Sequence, residues 1–345
     1  MPKSIVAALS CALLVTCLPL QAAGYADHPE AASFIQTMVQ KHGLDERFVK
    51  AMLAQAEMQP GVLKAILPPA DPRVKSWKNY RARFLDEIRI RNGLKFWREH
   101  EQTIETASEK YGVPQEVIVA IIGVETIYGR ITGSVPTLSA LATLAFDYPP
   151  RRALFLRELE ELFLLSQEQS TTPLAWRGSF AGALGLPQFL PSSYRRFAVD
   201  FDGDGKVDLM DSPADAIGSV AHFLKQHGWA SGGPVAVKVL AAGDDLKKLA
   251  DAGIEPKLSS EEVADYRIKP QAAVPAGERF AVIDLVTPDQ ATEYWLGFQN
   301  FYVITRYNRS SFYAMSVLHL AQTLKEAREN RDTRGKGGKA ATAGL

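Results

Sequence analysis

The sequence contains almost no cysteine. Its two cysteines, Cys11 and Cys17, both lie in an apolar N-terminal run. We expect this run to be removed as a secretory signal, so that the mature protein has no thiol. That absence excludes disulfide bonds and thiol chemistry from the mature chain.

Net charge of one sign is also missing. The chain has 39 lysines and arginines against 39 aspartates and glutamates, and no zinc-finger or phosphate-loop motif appears. We therefore expect no nucleic-acid partner and no organic cofactor. The one long apolar run, from Ile5 to Leu20, is short for a membrane span, so we predict no transmembrane segment.

The N-terminal residues have the pattern of a secretory leader. Lys3 precedes the apolar run, and small residues such as Ala22 and Ala23 follow it. We predict a signal peptide over residues 1–23 and a periplasmic location. The alternative is an outer-membrane lipoprotein anchored through Cys17, because Leu14 to Cys17 loosely resembles a lipoprotein box. The large Thr16 and the continuing apolar run favour the soluble form.

The remaining composition is that of an ordinary globular protein. It is 46% hydrophobic and 23% charged, which is enough for two or three subdomains around a sizeable core. Helical periodicity dominates residues 30–232, whereas alternating valines and scattered Pro and Gly over 233–300 predict strands. We predict a mainly α (α+β) fold. A final helix is expected from Tyr313 to about Ala327, followed by a disordered tail over 328–345.

The stretch from Tyr111 to Arg130 predicts a buried helix that ends at Gly129 and carries one carboxylate. Apolar residues cover most of its circumference, as is typical of a core helix; they are Val117, Ile118, Ile121, Ile122, Val124 and Ile127. Glu125 lies among them, with no basic residue three or four positions away. A carboxyl group in apolar surroundings stays protonated to higher pH, as a general acid requires. The alternative is a glutamate that reaches solvent at the helix edge.

Residues 200–211, D-F-D-G-D-G-K-V-D-L-M-D, match the spacing of an EF-hand calcium loop, with Asp in place of the final Glu. The expected ligands are Asp200, Asp202, Asp204, the carbonyl of Lys206, and either Asp211 or Asp215. A single loop of this kind predicts one structural Ca²⁺ and not a switch. The alternative is a solvated acidic turn.

Several spaced motifs together resemble one family. They are I-I-G-V-E-T at 121–126, G-S-F-A-G-A-L-G at 178–185, P-Q-F-L-P-S-S-Y at 187–194, the acidic loop, D-A-I-G-S-V-A at 215–221 and F-Y-V-I-T-R-Y-N at 301–308. Over roughly residues 30–325 they resemble the membrane-bound lytic murein transglycosylase B family, glycoside hydrolase family 103. The resemblance implies a lysozyme-like helical core with an additional α-domain, a small β-rich domain and a single EF-hand-like calcium loop.

The resemblance also implies domain boundaries. The α-domain would comprise residues 27–107 with 153–175. The lysozyme-like catalytic core would comprise 108–152 with 176–232 and 298–327. Residues 233–297 would form the β-rich domain.

Carried over position by position, the resemblance implies that Glu125 is the catalytic acid and base. Ser179 matches a serine that contacts this carboxylate, and Gln188 matches a glutamine that binds the sugar beside the scissile bond. Positions that match residues lining the cleft are Tyr80, Tyr307, Asn308 and Tyr313. Arg151 and Arg152 match a pair that contacts the substrate peptide.

Each of these residues also has a structural interpretation. The tyrosines could be interdomain core, the arginines a solvated helix start, and Gln188 a tie for loop backbone. The chain departs from the family pattern twice: Pro149-Pro150 adds a residue before the arginines, and Ser212 to Ala214 lengthens the segment after the acidic loop.

The family resemblance implies a lytic transglycosylase. It would cleave the β-1,4 bond between N-acetylmuramic acid and N-acetylglucosamine in peptidoglycan without water, and form 1,6-anhydromuramoyl products. The expected partners are glycan strands and proteins of cell-wall synthesis or remodelling, and we expect a monomer. The alternatives are a lysozyme-type hydrolase and a non-catalytic peptidoglycan-binding scaffold.

Overall fold

We describe a computed structural model of the chain, which covers residues 24–68, 75–241 and 246–342. The predicted signal peptide, including Cys17, lies outside the described residues. Contacts divide the chain into two units, one ending at Met58 and the other beginning at Gln59.

The first unit is a small pair of helices. A 3₁₀ turn at Tyr25–Asp27 precedes α1 (Ala31–His42) and α2 (Glu46–Ala54). Gly43 ends α1 in the left-handed conformation, and the Asp45 carboxylate begins α2 by accepting a hydrogen bond from the backbone N–H of Phe48 at 2.9 Å.

The second unit is mainly helical, as predicted. Its helices are α3 (Pro60–Ile66), α4 (Trp77–Ala82), α5 (Glu87–Glu99), α6 (Glu101–Tyr111), α7 (Gln115–Thr126), α8 (Thr137–Phe146), α9 (Arg152–Glu168), α10 (Pro191–Phe197), α11 (Pro213–Gln226), α12 (Leu246–Asp251), α13 (Gln299–Tyr307) and α14 (Ser311–Thr342).

Helix α7 lies at the centre of this unit. It packs against α5, α6, α11 and α14, and every residue from Val117 to Val124 is buried. A helix that is apolar on all sides can be stable only when neighbours cover all its faces. The predicted core helix is therefore confirmed, although it ends at Thr126 and not at Gly129.

Two small antiparallel sheets accompany the helices. β1 (Val135–Pro136) pairs with β2 (Arg177–Gly178). The larger sheet has the order β4-β3-β6-β5 and is formed by β3 (Ala236–Ala241), β4 (Lys269–Pro270), β5 (Ala281–Leu285) and β6 (Glu293–Gly297). All four strands lie within residues 233–297, where the sequence predicts strands. The domain boundaries themselves stay predictions.

The sheet segment has its own apolar cluster and a polar tie at its base. Phe280, Val282 and Leu296 pack together inside it. Where the chain enters and leaves the segment, the buried side chain of Asn300 accepts from the N–H of Ala230 and donates to the carbonyls of Ala230 and Gly233, at 2.8–2.9 Å. These bonds satisfy the buried amide of Asn300 and tie the residue after the segment to the residues that precede it.

Helix α14 is longer than predicted. It continues to Thr342, so the predicted disordered tail is corrected to helix over 328–342. Arg328 explains part of this extension. Its guanidinium lies 4.6 Å from the ring centroid of Trp97, donates to Gln115 at 3.2 Å and pairs with Glu101, so contacts with α5, α6 and α7 hold the helix past its expected end. In the part of the chain that is described, no helix has the length and apolarity needed to cross a membrane.

Candidate active site

The last turn of α7 presents Glu125 to a partly open site. The residue is half-buried, while protein atoms surround its carboxyl densely enough to disfavour the charged form. Burial raises the pKa of Glu125 to about 7, and a hydrogen bond from Tyr313 acts in the opposite direction. A carboxyl group with this pKa holds its proton at neutral pH and can also release it, as the sequence predicts.

Tyr313 is the direct partner of Glu125. Its hydroxyl donates to Oε1 of Glu125 at 2.5 Å, and its side chain is 2% exposed. Burial and the nearby Glu125 carboxylate raise the pKa of the Tyr313 phenol well above its ordinary value. The phenol therefore stays a hydrogen-bond donor throughout the physiological range.

Two further tyrosines flank this pair. Tyr307 stacks on Tyr313 with ring centroids 6.3 Å apart and donates to the carbonyl of Pro187 at 2.5 Å. Tyr80 contacts Phe312, with ring centroids 5.6 Å apart. The pKa of each phenol is raised by burial and, second, by Glu125. The structure thus brings Glu125 together with three tyrosines from α4, α13 and α14, and their role as residues that line the cleft stays a prediction.

The loop before α10 approaches the end of α7 through its backbone. Thr126, which is fully buried, donates to the carbonyl of Leu186 at 2.9 Å and accepts from the N–H of Gly129 at 2.9 Å. Gly185 has φ +69°, and a Cβ there would lie 2.1 Å from the carbonyl oxygen of Leu209. Only glycine allows the backbone at position 185 to pass this close to Leu209. Sequence reasoning gave Thr126 no role, although its position directly after Glu125 is a usable signal.

Gln188 has the left-handed conformation, with φ 52°. Its side-chain amide donates to the carbonyls of Thr132 at 2.9 Å and Gly185 at 3.0 Å. The Gln188 side chain therefore hydrogen-bonds loop backbone, as the structural alternative predicts. Both amide hydrogens are used by these bonds, and Oε1 keeps its capacity to accept a hydrogen bond.

Ser179 lies in the same loop. Its hydroxyl accepts from the N–H of Ala183 at 3.0 Å, and within the described residues no hydrogen bond joins it to Glu125. Contact with the carboxylate stays a prediction.

The remaining predicted substrate residues are not hydrogen-bonded to Glu125 in the ranges that the structure covers. The exposed Arg151 lies over the ring of Phe155, 5.5 Å from its centroid. Arg152 donates to the carbonyl of Phe146 at 3.3 Å. Asn308 is exposed and follows directly after α13. The arginines thus form the start of α9, and their contact with a substrate peptide stays a prediction.

The acidic loop has the geometry of a cation site. Carboxylate oxygens of Asp200, Asp202 and Asp204 all lie within 4.8 Å of one another. Gly203 and Gly205 have φ +78° and +89°, which turns the backbone around the aspartates. Lys206 donates its N–H to Asp204 at 2.8 Å. Hard oxygen ligands in this arrangement fit Ca²⁺.

Asp215 has a different position from these three. It is 1% exposed, and its two oxygens accept from the N–H groups of Phe201 at 2.8 Å and Asp208 at 2.7 Å. Asp211 is exposed, and its own N–H donates to Asp208 at 3.0 Å. Asp215 therefore holds the two arms of the loop together, and the choice between Asp211 and Asp215 as the last ligand stays open.

The geometry agrees with what sequence comparison finds. Residues 26–322 match the family described as "Transglycosylase SLT domain". The chain belongs to this family. It is 41% identical over 315 residues to membrane-bound lytic murein transglycosylase B of Escherichia coli strain K12, covering 88% of this chain and 85% of that protein.

Solved structures give the same result for the fold of this transglycosylase SLT domain. The catenated lytic transglycosylase SltB1 of Pseudomonas aeruginosa is 43% identical, with a TM-score of 0.82 over 88% of this chain and 99% of that one. The lytic transglycosylase Slt35 of Escherichia coli in complex with calcium is 41% identical, with a TM-score of 0.79 over 89% and 96%. The predicted family and lysozyme-like fold are confirmed.

Proposed function

We propose that the chain is a lytic murein transglycosylase in which Glu125 is the acid and base that cleaves peptidoglycan strands. The family and its murein-acting relatives support the activity. One observation supports the assignment of Glu125: a carboxyl group with a pKa of about 7 that is hydrogen-bonded to a buried tyrosine.

A single carboxyl group would perform both proton transfers. Most glycosidases use two carboxylates. Here the Glu125 charge helps to raise the pKa of Tyr80, Tyr307 and Tyr313. Among the described residues, no second carboxylate contributes to these shifts. This environment favours a reaction in which the substrate supplies the nucleophile.

The proposed reaction begins with Glu125 protonated. It donates its proton to the β-1,4 glycosidic oxygen between N-acetylmuramic acid and N-acetylglucosamine, and the C1–O bond breaks. The N-acetyl group of the muramoyl sugar stabilises the oxocarbenium-like centre, while the Tyr313 hydroxyl stabilises the carboxylate of Glu125. Glu125 then takes the proton of the C6 hydroxyl as its oxygen bonds to C1. The product is a 1,6-anhydro ring, and Glu125 is again protonated.

The loop and tyrosine residues would hold the sugar. Gln188 offers Oε1 as an acceptor because both of its amide hydrogens are donated to the loop. Ser179 offers its hydroxyl proton because its oxygen already accepts from Ala183. Tyr80 and Asn308 would line the cleft, and Arg151 and Arg152 would meet the substrate's peptide carboxylates.

A structural Ca²⁺ would complete the acidic loop. Asp200, Asp202 and Asp204 present converging oxygens, and Lys206 would add its carbonyl. The calcium complex of Slt35 supports the same ion here. Its contribution would be to neutralise the aspartates and stabilise the loop, with no part in the proton transfers.

The mature protein would work in the periplasm on glycan strands. The predicted leader supports export. Because the Escherichia coli relative is named as membrane-bound, a lipid anchor at Cys17 stays the alternative. A monomeric state and contacts with cell-wall synthesis or remodelling proteins stay predictions.

The experiment that tests the assignment is Glu125→Gln on purified sacculi. Glutamine keeps the size of the side chain and removes the transferable proton, so we expect turnover to fall by about 10²–10⁴-fold. Glu116→Gln on the same helix is the matched control. Glu116 pairs with Lys325 at 3.2 Å near the other end of α7, so its substitution should leave turnover unchanged.

Product mass separates the alternatives. Wild-type products should lack the mass of one water relative to lysozyme products, because the anhydro ring closes without water. Reducing-end products would instead indicate a hydrolase, and no release by wild type would indicate a scaffold. Unchanged turnover by Glu125→Gln would remove Glu125 from the mechanism.

A further inference from the structure

The turn that ends α7 is strained and follows Glu125 directly. Ile127 and Tyr128 both have left-handed backbone, with φ 52° and 59°, and Gly129 follows at φ 82°. A β-branched residue such as isoleucine rarely adopts positive φ. Strain of this kind persists only where surrounding contacts hold it.

The side chain of Tyr128 provides such contacts. It lies where α5 and α7 approach each other, and both helices carry glycine at this point. A Cβ added to Gly93 or to Gly123 would lie 2.3 Å from the Tyr128 hydroxyl oxygen. The ring also packs on Phe96, with centroids 5.3 Å apart. Two glycines therefore make the space that the end of this ring occupies.

The Tyr128 hydroxyl fills this space without bonding. It is buried and has no hydrogen-bond partner in the described part of the chain. An unpaired buried hydroxyl is costly, so the observed arrangement depends on close packing at this point. Because a tyrosine ring is rigid, pressure on its hydroxyl must move the whole side chain or the strained turn that carries it.

We propose that Tyr128, seated between Gly93 and Gly123, is a positioning residue for Glu125. The proposal rests on the proposed role of Glu125 as the catalytic acid and base. Tyr128 holds the left-handed turn that ends α7 two residues after Glu125. The turn also keeps the N–H of Gly129 on Thr126, whose hydroxyl joins α7 to the loop that carries Gln188.

Gly123→Ala tests this arrangement without touching substrate or Glu125. Alanine forms helix better than glycine, so the change would be harmless if Gly123 had no steric role. We expect instead that the new methyl group displaces Tyr128 and lowers kcat by about 10–100-fold, the effect of a small misplacement of a catalytic group. KM should change less than about threefold, because sugar contacts remain. Gly61→Ala in α3, where a Cβ would meet nothing within 4 Å, is the matched control with wild-type kcat expected.

The pH profile supplies a readout that a purely structural role would not move. A displaced Glu125 is better solvated, so the basic limb of kcat should shift below its wild-type position near pH 7. Adding Tyr128→Phe to Gly123→Ala removes the closest atom, the hydroxyl oxygen 2.3 Å from the new Cβ, and leaves the ring carbon Cζ 2.6 Å away, so the clash is relieved only in part. The double variant should therefore recover part of the lost kcat and move the pH limb back toward its wild-type position, with Tyr128→Phe alone as the reference protein.

Two results would overturn the proposal: wild-type kcat and pH limb in folded Gly123→Ala, or a double variant no better than Gly123→Ala. If Gly123→Ala does not fold, Gly93→Ala presses on the same oxygen from α5, and its new Cβ also lies 2.7 Å from Cδ2 of Leu324. A Gly123→Ala variant that Tyr128→Phe leaves as unstable as before would also contradict the proposal. Glu125→Gln is measured in parallel. If it is inactive while Gly123→Ala behaves as wild type, only the role of Tyr128 falls.

Discussion

At the scale of single residues, the site combines one acid with donors that cannot ionise near neutral pH. Burial raises the pKa of Glu125 to about 7, and burial together with the Glu125 charge raises the pKa of the phenols of Tyr307 and Tyr313 well above their ordinary value. The site therefore contains one group that can exchange a proton, Glu125, and neighbouring phenols that can only stabilise its carboxylate by donating hydrogen bonds or by packing. This division of roles is what a one-carboxylate mechanism requires.

The raised pKa of Glu125 predicts that the free energy of unfolding of the protein falls as pH rises. Its pKa is about 7 in the fold against 4.5 for an ordinary glutamate. Between these values the unfolded chain loses a proton that the folded chain keeps, so the free energy of unfolding falls as pH rises through this window. Glu125→Gln removes the effect and should be more stable than wild type above pH 7, by on the order of 3–4 kcal/mol at about 1.4 kcal/mol per pKa unit.

Urea unfolding of both proteins at pH 4 and pH 8 measures this difference. The two should differ least at pH 4, where the carboxyl is protonated in both states. Equal stability of wild type and variant at pH 8 would show that the Glu125 pKa is not raised.

Tyr313→Phe should impair catalysis by removing one hydrogen bond. The Tyr313 hydroxyl donates to Glu125 at 2.5 Å and stabilises the carboxylate, so its loss should raise the pKa of Glu125. A hydrogen bond to a charged group contributes about 1.5–3 kcal/mol, so we expect kcat on sacculi to fall by roughly 10–100-fold. The basic limb of the kcat profile should move to higher pH. Tyr302→Phe on α13 is a control outside the pair, and an unmoved limb in Tyr313→Phe would contradict the assignment.

At the scale of secondary-structure elements, the acidic loop has two kinds of aspartate. Asp200, Asp202 and Asp204 converge and repel one another without a cation. Asp215 is buried and holds the backbone N–H groups of Phe201 and Asp208. Burial raises the pKa of Asp215, although these backbone hydrogen bonds act against the shift.

We expect Ca²⁺ to raise the melting temperature of chelator-stripped protein. Binding to the folded state alone stabilises by about 2.7 kcal/mol at a hundred times the dissociation constant. Asp204→Asn should reduce this gain, and Asp265→Asn, an exposed site outside the loop, should keep it. Mg²⁺ should be a poor substitute because it demands a tighter octahedral shell. An unchanged melting temperature on addition of Ca²⁺ would contradict the site.

The same assay separates Asp211 from Asp215. Asp215→Asn should lower the melting temperature even with chelator, since an amide nitrogen cannot accept the second backbone N–H. Asp211→Asn should be neutral in chelator, and it should reduce the calcium gain only if Asp211 is a ligand.

At the scale of the whole molecule, contacts between residues far apart in the sequence join α4 to the sheet segment and to the last helix. The N–H of Trp77 on α4 donates to the carbonyl of Val286, just after β5, at 2.8 Å. Trp77 also contacts His319 on α14, with ring centroids 5.5 Å apart. Tyr80 lies on the same helix as Trp77, so these contacts connect the sheet segment to one wall of the site.

Export of the whole chain is tested by mass analysis of the mature protein. We expect the first residue to follow Ala23 closely and to carry no lipid, because the leader continues apolar past Cys17. Replacement of Cys17 by Ser should then change neither processing nor location. A diacylglyceryl-modified Cys17 at the mature N-terminus would overturn the soluble form.

The sequence by itself determined the features that depend on local residue order. Apolar periodicity predicted α7 as a core helix, and the spacing of aspartates predicted the loop at 200–211. The motif around Glu125, together with the other spaced motifs, identified the family. Each of these rests on residues close together in the chain, where neighbouring positions set which side chains share a face or a turn.

Only the tertiary structure decided what surrounds those features. Tyr313 bonds Glu125 from 188 residues away, and burial by several helices sets the pKa of about 7. The sequence placed the end of α7 at Gly129, whereas the last helical residue is Thr126, three residues earlier, and left-handed backbone follows at Ile127 and Tyr128. Likewise α14 continues past Ala327 because Trp97, Gln115 and Glu101 hold Arg328. Such contacts join distant segments, so their energies do not appear in any local pattern.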